Sequence, residues 1–544
     1  MAVLRARTLR REVGVLSHQT ANPVPESAAV ASQRFRSQVG HISRESGVFF
    51  AGTIFSMLFG YVFKVYLARV LGAEELGLYA LGITLVGFMG IFNSLGLPQS
   101  AMRFVAAYQA TGKFKELHAL LWRGAGLLLA ANVVLAVVFL AVGRFLSLHF
   151  YHAPRLVRYL PLFALIMVFG VVSAFYGKVL AGYRDLKLRT LIVNFVGSPL
   201  NMLIAVLLIE LGWGLRGYLT ANVVSAAVVC VLLLVAVRRF TPPEARFAAE
   251  PGSYPQRQVW SFSATALGIS FMEFLMTQVD KVALGFYRST REVGIYTVAA
   301  AFVVYVPLVL TSVNQVFAPT ISDLHTRGDH ALLSRLYQSL TKSALGLTLP
   351  LALVIFIFAR PIMRIFGHDF EMGWPILIVG TCGQLINCGV GSAGYLLLMS
   401  GNERRLMRVQ VVMAAVMVVL SAGLVPLWGI VGAAVAAAAT NACVNAWSLI
   451  EVRRALRLTP YNRGYLRLAA PLAAAIAVTL VLKKYSDVFR HDWLAVGVAL
   501  GAAYGIFVIV NLMVGLDADD RLIATAIWAR VRSVVPGIRA GVED

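Results

Sequence analysis

Charged side chains are scarce in this chain of 544 residues, at 14% of the total, whereas hydrophobic residues make up 59%. This balance excludes an ordinary soluble domain. The apolar runs are continuous rather than alternating, which excludes a transmembrane β-barrel, because barrel strands alternate apolar and polar residues. Helices are the remaining structure that satisfies every backbone polar group in hydrocarbon. We therefore predict an all-α integral membrane protein.

Signals for enzyme chemistry are also missing. The four cysteines lie in apolar runs without the spacing of a metal site or a disulfide framework. We find no nucleotide-binding loop, nucleophile elbow or metal-spaced histidine cluster. The net charge of +22 comes from basic residues that punctuate apolar segments rather than from a patch interleaved with aromatics. The sequence thus predicts no catalytic residue, no cofactor, no metal and no nucleic-acid partner.

The apolar segments predict about fourteen transmembrane helices, at roughly 20 residues for each crossing. Lys and Arg concentrate in the loops and tails of one side, which predicts a multi-pass protein with both termini in the cytoplasm. The predicted parts are a disordered basic cytoplasmic tail (1–45), a first lobe of six helices (46–239), a cytoplasmic linker (240–257), a second lobe of six helices (258–457), two further helices (458–515) and an amphipathic tail (516–544).

An internal repeat relates the two lobes. Residues 64–82 (KVYLARVLGAEELGLYALG) recur as 281–299 (KVALGFYRSTREVGIYTVA), and residues 118–123 (HALLWR) recur as 330–335 (HALLSR). The copies occupy corresponding places, so the two six-helix lobes form a parallel repeat about an axis along the membrane normal. In transporters with this arrangement, the binding site lies between the repeats.

Two lysines lie inside apolar segments at aligned positions of the repeat. Lys64 and Lys281 fall about 10 Å inside the outer ends of spans 1 and 7, by helix rise. Two interpretations remain open, because a lysine at this depth either lines a cavity or extends its ammonium to the interface. Arg69 is predicted at the outer rim of the same site.

Of the two aligned spans 1 and 7, span 7 alone contains acidic residues. Glu273, Thr277 and Asp280 recur at the spacing that places them on one helical face, close to Lys281. The carboxylates are candidates for exchanging a proton or an ion during transport. The alternative is that they act as counter-charges, with Asp280 neutralising Lys281 or a neighbouring cation neutralising Glu273. Both alternatives predict an asymmetric site.

Several motifs resemble bacterial polysaccharide flippases, the polysaccharide-transporter branch of the multidrug, oligosaccharidyl-lipid and polysaccharide exporter superfamily. They are residues 67–72 (LARVLG), 77–79 (GLY), 358–367, 401–402 (GN) and 426–434 (PLWGIVGAA). The resemblance covers about residues 45–515.

The resemblance implies a flippase of the bacterial inner membrane that moves an undecaprenyl-diphosphate-linked oligosaccharide to the outer leaflet for surface polysaccharide synthesis, such as exopolysaccharide or O-antigen. It implies a cationic cavity between the lobes, and Lys64, Lys281 and Arg69 are the candidate contacts there. The implied partners include membrane lipids, a polysaccharide polymerase and chain-length machinery. Two other functions remain open: a drug or cation antiporter of the same superfamily, and a membrane sugar polymerase or acyltransferase using a loop residue such as His152 or Arg158.

Overall fold

The computed structural model describes residues 28–93, 97–183, 186–246, 256–485 and 491–515. Within these ranges the chain is helical and contains no strand, which confirms the predicted all-α class. The predicted amphipathic tail and the first 27 residues lie outside the described ranges. The chain divides into two compact units, and apart from the bounds of helix α1 everything below concerns the larger one, Val62–Ala529.

The long helices carry labels that number continuous helices rather than membrane crossings. They are α1 Ala28–Asn93, α2 Leu97–Thr111, α3 Phe114–Phe145, α4 Leu160–Gly182, α5 Ser198–Leu208, α6 Gly214–Phe240, α7 Gln256–Tyr287, α8 Thr290–Val303, α9 Leu308–Arg327, α10 His330–Arg364, α11 Trp374–Val390, α12 Glu403–Leu456, α13 Ala469–Lys484 and α14 Asp492–Val514. Short helical segments are Leu146–Phe150, Pro154–Val157, Leu186–Thr190, Leu191–Gly197, Ile209–Trp213, Pro243–Arg246, His368–Gly373, Ala393–Met399 and Arg463–Leu468.

Nine helices in the described ranges are long and apolar enough to cross a membrane, or up to ten if a bent pair is counted as one span. Three of them contain a glycine whose backbone is not helical, at Gly72, Gly212 and Gly429. All three have positive φ angles, which glycine adopts without steric cost. Continuous helices therefore undercount reversals of the chain, and the number fourteen stays a prediction.

Two predicted boundaries can be compared with the helices. Helix α1 already begins at Ala28, so residues 28–45, predicted as part of a disordered tail, are helical here. Between α6 and α7, the short helix Pro243–Arg246 is held by His118, whose Nδ1 lies 2.7 Å from the carbonyl oxygen of Ala245. The start of the linker thus packs on α3.

We refer to residues 62–246 as the first half and to residues 256–515 as the second half. Each half has its own buried core. The first is built by α2, α3, α4 and α6 around Phe175, and the second by α9, α10 and α12 around Tyr337. Helix α14 packs on α10, where the Tyr504 hydroxyl donates to the carbonyl of Leu347 at 2.7 Å. The outer end means the end with the reversals at Gly72 and Gly429, following the predicted orientation.

Candidate functional site at the seam between the halves

The backbones of the two halves lie close together at two glycines that the repeat aligns. A Cβ atom on Gly77 would lie 1.7 Å from the carbonyl oxygen of Thr290, and one on Gly294 would lie 1.8 Å from that of Ala73. No side chain fits at such distances unless the backbone moves. The repeat motif that contains these glycines is therefore the place where the first part of α8 crosses α1.

Further contacts close the outer end. Arg69 donates from Nε to the carbonyl oxygen of Ile365 at 2.8 Å, which joins the first half to the second. Gly285 lies against Leu81 and Tyr151, and a Cβ there would come within 2.7 Å of both side chains. Arg69 was predicted to contact substrate. Here its side chain is exposed, and one nitrogen is bound to a backbone carbonyl.

Lys64 reaches across the seam. Its side chain is exposed, and its ammonium lies 5.6 Å from the centroid of the Tyr305 ring in the second half. That distance is within the range of a cation–π interaction. Lys64 forms no ion pair with a carboxylate among the described residues. Its ammonium therefore lies between the halves with donors available to a ligand.

Lys281 occupies the aligned position but has different partners. Its ammonium donates to Gln278 Oε1 at 2.9 Å and to the carbonyl of Thr277 at 3.2 Å, both on its own helix. The hydroxyl of Thr84, in the first half, lies 3.5 Å from the same Gln278 oxygen. Lys281 is thus linked to the other half through an amide, and the two aligned lysines are not equivalent.

Asp280 is buried, with 7% of its surface exposed. One carboxylate oxygen accepts from the hydroxyl of Tyr296 at 2.5 Å, and the other accepts from the backbone N–H of Lys281 at 2.8 Å. Both oxygens of the Asp280 carboxyl group are thus hydrogen-bonded within the second half. The ammonium of Lys281 donates to Gln278 and Thr277 rather than to this carboxylate. Both the coupling and the counter-charge interpretations of Asp280 stay predictions.

A cavity of about 880 Å³ lies inside the second half, between α7, α8, α11 and α12. Glu273, Thr277 and Asp280 all line it, as their spacing predicts. The other polar lining residues are Tyr296, Gln384, Gln410, Thr440 and Asn441, and four methionines contribute to the apolar wall. No Lys or Arg belongs to this lining.

The cavity favours a cation over an anion. It contains two carboxylates, of which Glu273 is exposed to its space and Asp280 lies about 10 Å further along α7 by helix rise. A buried carboxylate is tolerated when it is paired with a cation or hydrogen-bonded, or when a proton neutralises it. A proton or a small cation fits this requirement. The amide oxygens of Gln384 and Asn441 accept one hydrogen bond each, from Asn387 and Asn445, and each has a second lone pair. The cationic cavity that the resemblance implies is therefore not this one.

The loop that contains His152 and Arg158 shows ion pairs of another kind. Arg155 pairs with Glu74 at 2.7 Å and with Glu75 at 2.6 Å, and the charge of Glu75 raises the pKa of Arg155. His152 and Arg158 are exposed on the same loop. The ion pairs attach the loop to the part of helix α1 that directly follows the break at Gly72, which is a structural role.

Two aromatic residues of the site were not predicted. Tyr296 belongs to the repeat motif and is now the hydrogen-bond donor to Asp280, and Tyr305 is the partner of Lys64. Their aligned residues in the first half are Tyr79 and Phe88. Aromatic residues in an apolar segment carry no sequence signal that separates a site from ordinary packing.

A family model described as polysaccharide biosynthesis protein matches residues 42–325, which is more than half of the chain. The chain belongs to the polysaccharide biosynthesis protein family. Membership confirms the resemblance to polysaccharide flippases that the sequence motifs indicate.

Two relatives of this family member extend over most of its length. The succinoglycan biosynthesis transport protein ExoT of Rhizobium meliloti (strain 1021) is 26% identical over 439 residues, which are 77% of this chain and 81% of ExoT. The probable flippase AglR of Haloferax volcanii is 22% identical over 424 residues, which are 76% of this chain and 83% of AglR. Both are named for transport or flipping rather than for catalysis.

Solved structures support the fold. The lipid II flippase MurJ, in an inward closed conformation, has a TM-score of 0.68 at 15% identity and covers 86% of this chain and 98% of its own. An inward-facing MATE family multidrug transporter of the same superfamily has a TM-score of 0.58 at 16% identity and covers 74% and 94%. At these identities the likeness concerns the fold alone, which is that of an all-α multi-pass membrane protein.

Proposed function

We propose that this family member is a flippase for a polyprenyl-diphosphate-linked oligosaccharide, with undecaprenyl as the lipid, moved from the inner to the outer leaflet of the bacterial inner membrane. The two halves alternate in closing the seam. Lys64 and Lys281 contact the diphosphate, Arg69 lies at the outer rim, and the polyprenyl chain stays in lipid. A polysaccharide polymerase and its chain-length machinery are the expected partners.

The observation that carries this proposal is the place of Lys64. Its ammonium stands between the halves, exposed, with an aromatic ring rather than a carboxylate as its neighbour. Burial of an unpaired diphosphate costs tens of kcal/mol by solvation estimates, so a path for it needs cations. A charge-assisted hydrogen bond to phosphate is about twice as strong as a neutral one.

We propose that the cavity in the second half couples transport to an ion gradient. Glu273 and Asp280 bind a proton or a small cation there, and its release accompanies the movement of the halves. Helix α8 supports this link, because it provides Tyr296 to the cavity and Gly294 to the crossing with α1. The membrane potential adds a second driving force, since outward movement of two negative charges is favoured by about 4.6 kcal/mol per 100 mV.

The test is a flipping assay with the purified full chain in vesicles. A fluorescent undecaprenyl-diphosphate disaccharide is incorporated, and its arrival in the outer leaflet is followed with a membrane-impermeant quencher. We expect Lys64→Met to reduce flipping at least tenfold and Lys64→Arg to retain most of it, because the guanidinium keeps the charge.

A matched control is Lys483→Met. Lys483 also lies over an aromatic ring, 5.2 Å from the centroid of Phe358, but it belongs to α13, outside the repeat. This variant should flip at the wild-type rate. Wild-type flipping by Lys64→Met, at equal abundance in the vesicles, would remove the assignment of Lys64.

A second candidate function is a drug or cation antiporter, which the acidic cavity favours. Its two carboxylates and methionine-rich wall suit a lipophilic cation. A deletion strain separates the candidates: loss of surface polymer with unchanged drug sensitivity supports the flippase, and the reverse supports the antiporter. A sugar polymerase or acyltransferase would require His152 or Arg158, so unchanged polymer production in His152→Ala and Arg158→Ala argues against it.

A further inference from the structure

Tyr305 meets Lys64 from the opposite half of the protein. The ammonium lies 5.6 Å from the ring centroid, and the lysine is otherwise exposed. An ammonium has three donor hydrogens, and a ring on one side leaves the hydrogens on the other sides available to a ligand. A lysine side chain is flexible, so a contact that holds its ammonium at the seam determines where a ligand finds the charge.

The backbone around Tyr305 makes it a fixed support. It lies in the break between α8 and α9, where the helices Thr290–Val303 and Leu308–Gln315 are bent by 51°. The N–H of Tyr305 donates to the carbonyl of Phe302 at 3.0 Å, and its own carbonyl accepts from Leu308 at 3.1 Å. Pro307 has no N–H and disfavours a continuous helix, so the break is encoded locally.

The same turn also reaches the acidic cavity. Val303 and Val304, which immediately precede Tyr305, line that cavity together with Asp280. The broken segment therefore touches the head-group lysine on one side and the carboxylate cavity on the other. A displacement of this turn would change the surroundings of both Lys64 and Asp280.

We propose that Tyr305 is a positioning residue for substrate binding. Its ring holds the Lys64 ammonium across the seam, so that a diphosphate head group arriving between the halves meets a cation already in place. This inference rests on the proposed function, since it acts through Lys64.

The test compares Tyr305→Leu with Tyr305→Phe in the vesicle assay, measured over a range of the undecaprenyl-diphosphate disaccharide. Loss of the ring should raise the half-saturating concentration about 2- to 30-fold, the span of a cation–π interaction, with the rate at saturation nearly unchanged. Tyr305→Phe keeps the ring face and should stay within about twofold of wild type by the same reasoning. The exposed Tyr485 serves as control, and Tyr485→Leu should change nothing.

A double-mutant cycle separates positioning from a general structural role. In the Lys64→Met background, Tyr305→Leu should have no further effect, because the group that the ring positions is absent. An equal effect in both backgrounds, or an unchanged half-saturating concentration in the single variant, overturns the inference. If Tyr305→Leu is lost from the membrane, Tyr305→Met, which is flexible and also lacks a ring, is measured in the same cycle.

The outcome also distinguishes this inference from the proposed function. Lys64→Met with wild-type flipping refutes the head-group role of Lys64 and this inference with it. Impaired Lys64→Met together with wild-type behaviour of Tyr305→Leu leaves the proposed function intact and refutes the role of Tyr305.

Discussion

The contact between Gly77 and Gly294 makes a prediction about which conformation the protein prefers. A methyl group on Gly77 would lie 1.7 Å from a backbone oxygen of Thr290, and backbone cannot rotate away as a side chain can. Overpacking of this kind costs about 1 to 3 kcal/mol. The cost falls on the outer-closed conformation described here, because the crossing exists only while the halves are in contact.

We therefore expect Gly77→Ala to shift the equilibrium toward states with an open outer end by about 5- to 150-fold, at about 1.4 kcal/mol per tenfold. The reporter is Leu81→Cys, in a chain whose four native cysteines are replaced, because Leu81 is fully buried against Gly285 in the closed outer end. A membrane-impermeant thiol reagent is added from outside to intact cells, and the labelling rate is measured.

Gly90→Ala is the control, because a Cβ at Gly90 meets nothing within 4 Å. Labelling in that variant should match the unsubstituted reporter, while Gly77→Ala and Gly294→Ala should both label faster. Equal labelling in all four proteins would refute the reasoning that this crossing holds the outer end closed.

Two further predictions concern the second half. Asp280→Asn keeps an oxygen that accepts from the Tyr296 hydroxyl but removes the charge. Flipping should therefore lose its dependence on an imposed proton or sodium gradient, while the protein stays folded. Gradient dependence that persists would contradict the coupling role. Arg288 donates to the carbonyl of Pro426 at 2.9 Å, and its guanidinium lies beside the positive-φ Gly429. Arg288→Met should therefore lower the free energy of unfolding by about 1 to 3 kcal/mol. The measurement is the unfolding temperature in detergent, which should fall; an unchanged unfolding temperature would contradict this prediction.

Much of this architecture is readable from the repeat. Aligning the two lobes by sequence places Gly77 opposite Gly294, and the structure brings these residues into contact. The length of the apolar segments predicts the helical class. The spacing of Glu273, Thr277 and Asp280 predicts that they share one face of a helix, and all three line the cavity. These features depend on local periodicity, which a sequence carries directly.

Other features depend on contacts between distant segments. Lys64 and Lys281 align, yet the Lys64 ammonium lies over a ring across the seam, whereas the Lys281 ammonium donates to Gln278. The residue that aligns with Gln278 in the first copy of the repeat is Tyr61. One of the two interpretations left open by the sequence paired Asp280 with Lys281, its neighbour in sequence; in the structure the hydroxyl of Tyr296, from another helix, donates to the carboxylate. Helix crossing decides these pairings, and a single sequence does not specify it.

Chemical rescue at position 64 tests most directly whether the diphosphate passes beside a cation at the seam. In a chain without native cysteines, Lys64→Cys should flip the labelled undecaprenyl-diphosphate disaccharide poorly. Alkylation with 2-bromoethylamine restores an ammonium close to the position of the lysine ammonium and should restore flipping, whereas alkylation with iodoacetamide, which adds a neutral group, should not. Full flipping by unmodified Lys64→Cys, or equal flipping after the two reagents, would contradict the account.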